Sequence, residues 1–170
     1  MHYVLLDEAG YLRVIRSKTA KLFEASCRIA AILADSPPDL EEACAEYGQS
    51  LGTAFQVIDD VLDYDGDAAE MGKNLGDDLR EGKATLPLIL AMKLGTPEEA
   101  QVVRQAIETG STTELPRIVD IVRLTGALER TRVAAAAQAE RAVAAARALP
   151  TNEFTNSLIE LAAQLLQRRW

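Results

Sequence analysis

Four aspartates, Asp59, Asp60, Asp63 and Asp65, fall close together near the end of a run with helical periodicity. The helix dipole and the unpaired carbonyls at a C-terminal helix end disfavour negative charge there. Asp59 and Asp63 also repel each other as an i, i+4 pair. Acidic clusters are usually just solvated, but at this position clustering carries a cost. The arrangement indicates that something positive binds there.

The acidic excess of the chain is concentrated around these residues. Between positions 59 and 81, nine acidic side chains stand against Lys73 and Arg80, a net of −7 in a chain of formal charge −8. This charge argues against nucleic-acid binding, which needs clustered Lys and Arg. His2 is the only histidine, so Ser-His-Asp, Cys-His and histidine-ligated zinc chemistry are disfavoured. Glycine-rich phosphate loops of the GxGxxG and GxxxxGK[ST] types are absent too.

Clustered carboxylates could bind either Ca²⁺ or Mg²⁺, and the two ions need different ligand patterns. Asp63, Asp65 and Asp67 match the alternate acids of an EF-hand calcium loop, but Ala68 replaces its glycine and Asn74 its closing glutamate. Mg²⁺ instead needs one or two carboxylates, because water and phosphate oxygens complete its octahedron. The sequence therefore predicts Mg²⁺ together with a phosphorylated ligand.

Lysines are the expected cationic partners of such a ligand. Lys18, Lys73 and Lys83 are each able to act as a point charge on a diphosphate. Taken alone, each is more often a surface residue, so their roles depend on the surrounding motif.

The elements that must position these residues are helices. Alanine and leucine dominate, and only 5% of residues are aromatic, which favours an all-α fold. Periodicity predicts one long helix over 7–34, ended by Pro37 and Pro38, and a second from 39 to about 64. A polar loop is predicted to run to Ala84. Further helices are predicted at 85–95, 96–110, 113–125, 127–148 and 153–169.

The second predicted helix places the polar groups on one face. At about 100° per residue, Asp63 lies about 40° and Gln56 about 60° from Asp59, with Asp60 at about 100°. Apolar side chains fill the opposite face, which predicts a core contact there.

Length and composition limit the possible domain organisation and location of the protein. At 170 residues the chain fits a single domain, 1–170, that folds without disulfides. It has no apolar run of about 20 residues and no N-terminal signal pattern, so a cytoplasmic protein without a transmembrane segment is expected. Cys27 and Cys44 are interpreted as reduced thiols, and the alanine-rich stretch 134–149 is expected to pack closely against a neighbouring helix.

The segment FQVIDDVLDYDGDAAEMGKNLGDDLREGKATLP resembles the second aspartate-rich region of the trans-isoprenyl diphosphate synthases, the polyprenyl synthetase family. The matching motifs are Phe55-Gln56, Asp-Asp-x-x-Asp at 59–63, Gly-Lys at 72–73, Gly-Asp-Asp at 76–78 and Gly-Lys at 82–83. SKTAKLFEAS, at 17–26, is similar to the family's Lys-Thr helix. The similarity covers nearly the whole chain and is most detailed for bacterial long-chain members.

The resemblance implies an all-α helix bundle of the isoprenoid synthase type around a deep apolar cavity, usually in a homodimer. It also implies prenyl transfer, in which an allylic diphosphate ionises with the help of Mg²⁺ and is attacked by isopentenyl diphosphate. By this resemblance, Asp59 and Asp63 hold Mg²⁺ and Asp60 shapes the surrounding shell. The other implied site residues are Lys18 and Lys73 on the diphosphate, Thr19 and Gln56 lining the allylic site, Phe55 beside the reacting carbons, and Lys83.

The chain departs from the family pattern in one respect. Family members carry two aspartate-rich motifs, and this sequence contains one, so it is interpreted as the C-terminal part and about half of the full fold. The isolated chain is therefore expected to be inactive or nearly so. A non-catalytic diphosphate-binding subunit of a heteromeric synthase is an alternative. A terpene cyclase-like relative is a further one, although the GKxxGDDxxxGK spacing favours chain elongation.

Overall fold

The computed structural model describes residues 6–65 and 76–167. Within these ranges the regular structure is helical, without strands, which confirms the predicted all-α class. The α-helices are α1 (Glu8–Ile15), α2 (Lys21–Leu33), α3 (Pro38–Asp65), α4 (Asp77–Arg80), α5 (Leu86–Leu94), α6 (Pro97–Thr109), α7 (Leu115–Leu124), α8 (Ala127–Ala146) and α9 (Glu153–Leu165). None of these helices is long and apolar enough to cross a membrane.

The first predicted helix is not one regular element. A π-helical segment, Arg16–Ala20, separates α1 from α2, and the amide of Lys21 donates to the carbonyl of Arg16, five residues earlier. The prediction of a continuous helix over 7–34 was wrong at this point, because hydrophobic periodicity does not reveal one widened turn. Lys18 and Thr19 lie in this segment. Single π turns inside helices occur frequently at functional sites.

The later elements follow the predicted boundary signals closely. Thr96 begins α6 with a capping box, in which its hydroxyl accepts from the amide of Glu99 and the Glu99 carboxylate accepts from the amide of Thr96. The predicted loop before Ala84 is not wholly irregular, because it contains α4. Gly76 precedes that helix with a φ of 79°, a left-handed conformation that favours glycine.

Tertiary contacts divide the chain into two compact units. The described part of the first unit comprises residues 6–11, 59–65 and 76–132, and its core is built on α5, whose residues from Leu86 to Ala91 are buried. Helix α5 packs against α6 and α7. Residues 12–58 and 133–167 form the described part of the second unit. The single-domain interpretation of residues 1–170 remains a prediction.

In the second unit, α3 approaches both α2 and the end of the π-helical segment closely. A Cβ atom added at Gly48 would lie 2.4 Å from the carbonyl oxygen of Phe23, and one at Gly52 would lie 2.8 Å from the Cα of Ala20. The alanine-rich helix α8 contributes to the same core, as expected from its composition. That core contains Tyr47, Leu51, Ala54, Ala139, Ala142, Ala146, Ala162 and Leu165.

Candidate functional site

Asp60 is buried, and a tyrosine that the sequence analysis did not single out holds its carboxylate. The hydroxyl of Tyr11, on α1, donates to Asp60 Oδ2 over 2.5 Å. Only 4% of Tyr11 and 2% of Asp60 are exposed. Burial, reinforced by the negative charge of Asp60, raises the pKa of Tyr11 far above its usual value, so the hydroxyl stays protonated and remains a donor. The only sequence signal for this contact was the position of Tyr11, seven residues before Lys18. Periodicity alone assigns this tyrosine to the core.

Asp59 and Asp63 differ in their surroundings. Asp59 is exposed, whereas Asp63 is half-buried and its Oδ2 atom is buried without a hydrogen-bond partner among the described residues. Burial is the main cause that raises the pKa of Asp63 to about 6, and the charge of Asp78 adds to it. Hydrogen bonds with the backbone of Asp78 and Asp77 oppose this rise. A nearby cation would relieve the penalty on the ionised form.

These carboxylates fit a magnesium site of the open kind. Among the described residues, no three or more histidine, cysteine or acidic side chains are grouped so that they could hold a metal by themselves. Mg²⁺ does not need such a cage, because waters and substrate phosphates supply most of its ligands. Asp59 and Asp63, about one helical turn apart on α3, would supply the one or two carboxylates that such a site needs. The unpartnered Oδ2 of Asp63 is consistent with that role.

Asp65 has different contacts from the other three aspartates. Arg132 of α8 forms an ion pair with its carboxylate, and Arg123 of α7 donates to its backbone carbonyl over 3.3 Å. These arginines supply positive charge at the C-terminal end of α3, where the dipole favours it. Neither contact was predicted from the sequence, because the two arginines lie 58 and 67 residues further along the chain. Asp65 thus belongs to the structural end of the helix.

Lys83 neutralises acids of its own segment. Its ammonium lies 2.8 Å from Asp78 Oδ1 and 2.7 Å from Glu81 Oε2. Burial lowers the pKa of Lys83, but the hydrogen bonds to the two carboxylates outweigh it and the pKa is raised overall. Lys83 thereby offsets the charge of Asp78, which acts on Asp63. Its contact with a diphosphate remains a prediction, and Lys73 lies outside the described residues.

In the second unit, the structure brings two of the predicted residues together. Thr19 Oγ1 donates to Gln56 Oε1 over 3.1 Å, although the two residues are 37 positions apart. Phe55 is half-buried and packs on Phe23, with ring centroids 5.9 Å apart. Lys18 is exposed on the π-helical segment. These residues form a polar pair beside an aromatic contact, and their roles toward a substrate remain predictions.

Comparison with known proteins agrees with this fold. Residues 2–123 match the Polyprenyl synthetase family, and the chain belongs to this family. Octaprenyl diphosphate synthase from Escherichia coli (strain K12) is 48% identical over 164 residues, which cover 96% of this chain and 51% of that protein. The chain therefore spans about half the length of the curated relatives it matches.

Solved structures show the same fold. A decaprenyl diphosphate synthase from Rhodobacter capsulatus superposes with a TM-score of 0.89 and 39% identity, over 98% of this chain and 52% of that one. A polyprenyl synthase from Caulobacter crescentus CB15, complexed with calcium and isoprenyl diphosphate, gives a TM-score of 0.89 and 42% identity, over 99% and 52%. The predicted isoprenoid synthase type of helical fold is confirmed, with about half of the relatives' length present.

Proposed function

We propose that this chain supplies the metal- and diphosphate-binding half of a long-chain trans-prenyl diphosphate synthase, corresponding to its C-terminal part. The observation that carries the proposal is the difference between two aspartates at the end of α3. Asp65 is neutralised by Arg132, whereas Asp63 keeps a buried oxygen without a partner among the described residues. A ligand that brings its own positive charge through a divalent cation fits this arrangement.

The chemistry follows from these residues. Bound Mg²⁺ would take up the negative charge that develops on the diphosphate as the allylic carbon–oxygen bond breaks. Asp59 and Asp63 bind and orient the metal–diphosphate group. The resemblance to the family gives Lys18 and Lys73 the role of neutralising phosphate oxygens. The Caulobacter crescentus relative, solved with calcium and isoprenyl diphosphate, supports the pairing of divalent metal and ligand.

We propose an octaprenyl-forming parent enzyme, on the strength of the Escherichia coli relative. The condensation adds isopentenyl diphosphate to an allylic diphosphate. Because this chain carries one aspartate-rich motif where the family has two, the isolated chain is inactive or nearly so under this proposal. Elongation of farnesyl diphosphate by the purified 170-residue protein, followed with labelled isopentenyl diphosphate, would contradict that part.

Exposed apolar side chains on α2 support the view that further polypeptide packs there. Leu22 is 72% exposed and Leu33 is 83% exposed, and Ile29 lies between them on the same helix face. Apolar patches of this kind usually mark an interface. We expect the isolated chain to self-associate, which light scattering at increasing protein concentration measures. A strictly monomeric chain would count against this expectation.

The proposed site is tested by calorimetric titration with an unreactive thio analogue of farnesyl diphosphate, with and without Mg²⁺. We expect binding to require Mg²⁺ and to weaken by more than about 100-fold in Asp59→Asn/Asp63→Asn, since changes in outer-shell residues alone cost about 10–100-fold. The matched control is Asp120→Asn/Glu160→Gln, which removes the same charge from exposed positions. The absence of binding by the unmodified chain in every condition would contradict the proposal that this half forms a working site.

A further inference from the structure

Tyr11 and Asp60 join two helices through a buried hydrogen bond. Their positions are 49 residues apart in the sequence, and the bond between hydroxyl and carboxylate is 2.5 Å long. Hydrogen bonds to a carboxylate are short and about twice as strong as those between neutral groups. Because both side chains are almost wholly buried, loss of the Tyr11 hydroxyl would remove a hydrogen-bond donor from a carboxylate that water reaches poorly.

We propose that Tyr11 is a positioning residue of the metal site, which holds the Asp60 carboxylate in the orientation that divalent-cation binding at Asp59 and Asp63 requires. This inference rests on the proposed function, because it assigns Tyr11 to the same site. Asp60 lies on α3 directly after Asp59 and three residues before Asp63. Side chains three residues apart are neighbours on a helix surface, so an Asp60 carboxylate fixed by Tyr11 would limit the positions open to the Asp63 carboxylate. Tyr11 would act through Asp60 and not as a metal ligand itself.

Tyr47 offers a comparison that separates positioning from ordinary core packing. Its side chain is 2% exposed, and its hydroxyl donates to the backbone carbonyl of Leu158 over 2.9 Å. Tyr47 thus satisfies a core polar group without involving a carboxylate. Tyr11 is equally buried, but its acceptor belongs to the aspartate-rich motif. Substitution of either tyrosine by phenylalanine removes one buried hydroxyl, and only one of the two substitutions removes a bond to Asp60.

The inference predicts a specific effect on metal affinity. Outer-shell residues that orient metal ligands typically contribute about 10–100-fold to affinity. We expect Tyr11→Phe to raise the dissociation constant for Mn²⁺ by about 10-fold. Tyr47→Phe is expected to leave that constant unchanged. Asp60→Asn is expected to weaken Mn²⁺ binding as well, and Tyr11→Phe/Asp60→Asn should bind no more weakly than Asp60→Asn alone, because the tyrosine acts through the aspartate.

The experiment is an electron paramagnetic resonance titration of free Mn²⁺ with the full 170-residue chain and these four variants. Circular dichroism and thermal unfolding confirm that each variant is folded at the titration temperature. An unchanged Mn²⁺ affinity in folded Tyr11→Phe would overturn the inference, as would an equal loss in Tyr47→Phe or fully additive losses in the double variant. A selective, non-additive loss in Tyr11→Phe would support it.

This titration also separates the inference from the proposed function. Mn²⁺ binding that depends on Tyr11, together with failure of the farnesyl thio analogue to bind, would support the positioning role and contradict the diphosphate site. Binding of both Mn²⁺ and the thio analogue, with an Mn²⁺ affinity that Tyr11→Phe leaves unchanged, would support the diphosphate site and contradict the positioning role. If the unmodified chain does not bind Mn²⁺ at all, the positioning role is overturned.

Discussion

Two regions of α3 are built on opposite physical principles. At the glycine contact, formed by Gly48, Gly52 and Phe23, the absence of side chains lets backbones approach closely. At the acidic end, formed by Asp59, Asp60 and Asp63, the same helix carries negative charge and buries carboxylate oxygens. The first region gains stability from close packing, whereas the second loses stability through desolvation and repulsion. Such local cost is typical of residues kept for a ligand.

The largest stability effect is expected from Gly48→Ala. The added methyl group would meet backbone atoms of Phe23 and Glu24 at 2.4 to 2.9 Å, and backbone cannot move aside as a flexible side chain can. We expect the free energy of unfolding to fall by about 3 kcal/mol, measured by urea denaturation. Gly126→Ala is the control, since its φ of 73° adds strain but no atom lies within 4 Å of the new Cβ. Its expected loss is about 1 kcal/mol, and equal losses would contradict the account of close helix approach.

At the acidic end, by contrast, a substitution is expected to stabilise the fold. The pKa of Asp63 rises from 3.8 to about 6 in the folded state, so the folded state disfavours the carboxylate and loses stability as pH rises from about 4 to 6. Without divalent cations, Asp63→Asn should therefore be more stable than the unmodified chain at pH 7, by about 1–2 kcal/mol after allowance for solvent screening.

The measurement is thermal unfolding of both proteins between pH 4 and pH 7. The difference between them should shrink steadily toward pH 4, because Asp63 is then largely protonated in the folded state and the pH approaches its ordinary pKa of 3.8. Asp120→Asn, at an exposed position of α7, controls for loss of one charge. A less stable Asp63→Asn at pH 7 would show that Asp63 stabilises the fold and would remove the contrast between the two regions.

A smaller effect is expected at the structural end of α3. Arg132 and Asp65 are each more than one-third exposed, so Arg132→Gln should cost about 0.5 kcal/mol at low ionic strength. The difference should shrink in 1 M NaCl, because salt screens exposed ion pairs. Arg104→Gln, at an exposed position of α6, serves as the comparison. A loss of several kcal/mol that persists in high salt would place Asp65 among the buried functional acids instead.

Much of α3 was predictable because its signals are local. A helix from 39 to about 64 was predicted, and the structure has Pro38–Asp65. The side of α3 opposite the aspartates was predicted to be a core contact, and Leu51 and Tyr47 on that side do lie in the core. The resemblance of the aspartate motif pointed to the family that the comparisons show.

The remaining features depend on contacts that the sequence does not express. Tyr11 meets Asp60 from another helix, and Arg132 reaches Asp65 from 67 residues away. The π-helical segment differs from a regular helix by one widened turn, which leaves the hydrophobic pattern almost unchanged. Local propensity and spacing do not determine such long-range pairings, and the structure was needed to find them.

The central claim is that the acidic end of α3 holds a divalent cation for a diphosphate ligand. The most direct test is anomalous scattering from crystals of this chain grown with Mn²⁺ and the farnesyl thio analogue. The account predicts a metal peak about 2 Å from carboxylate oxygens of both Asp59 and Asp63, with a diphosphate oxygen completing the coordination. A metal bound instead to Asp65, Asp77 or Asp78, or ligand density without metal at the acidic end, would contradict it.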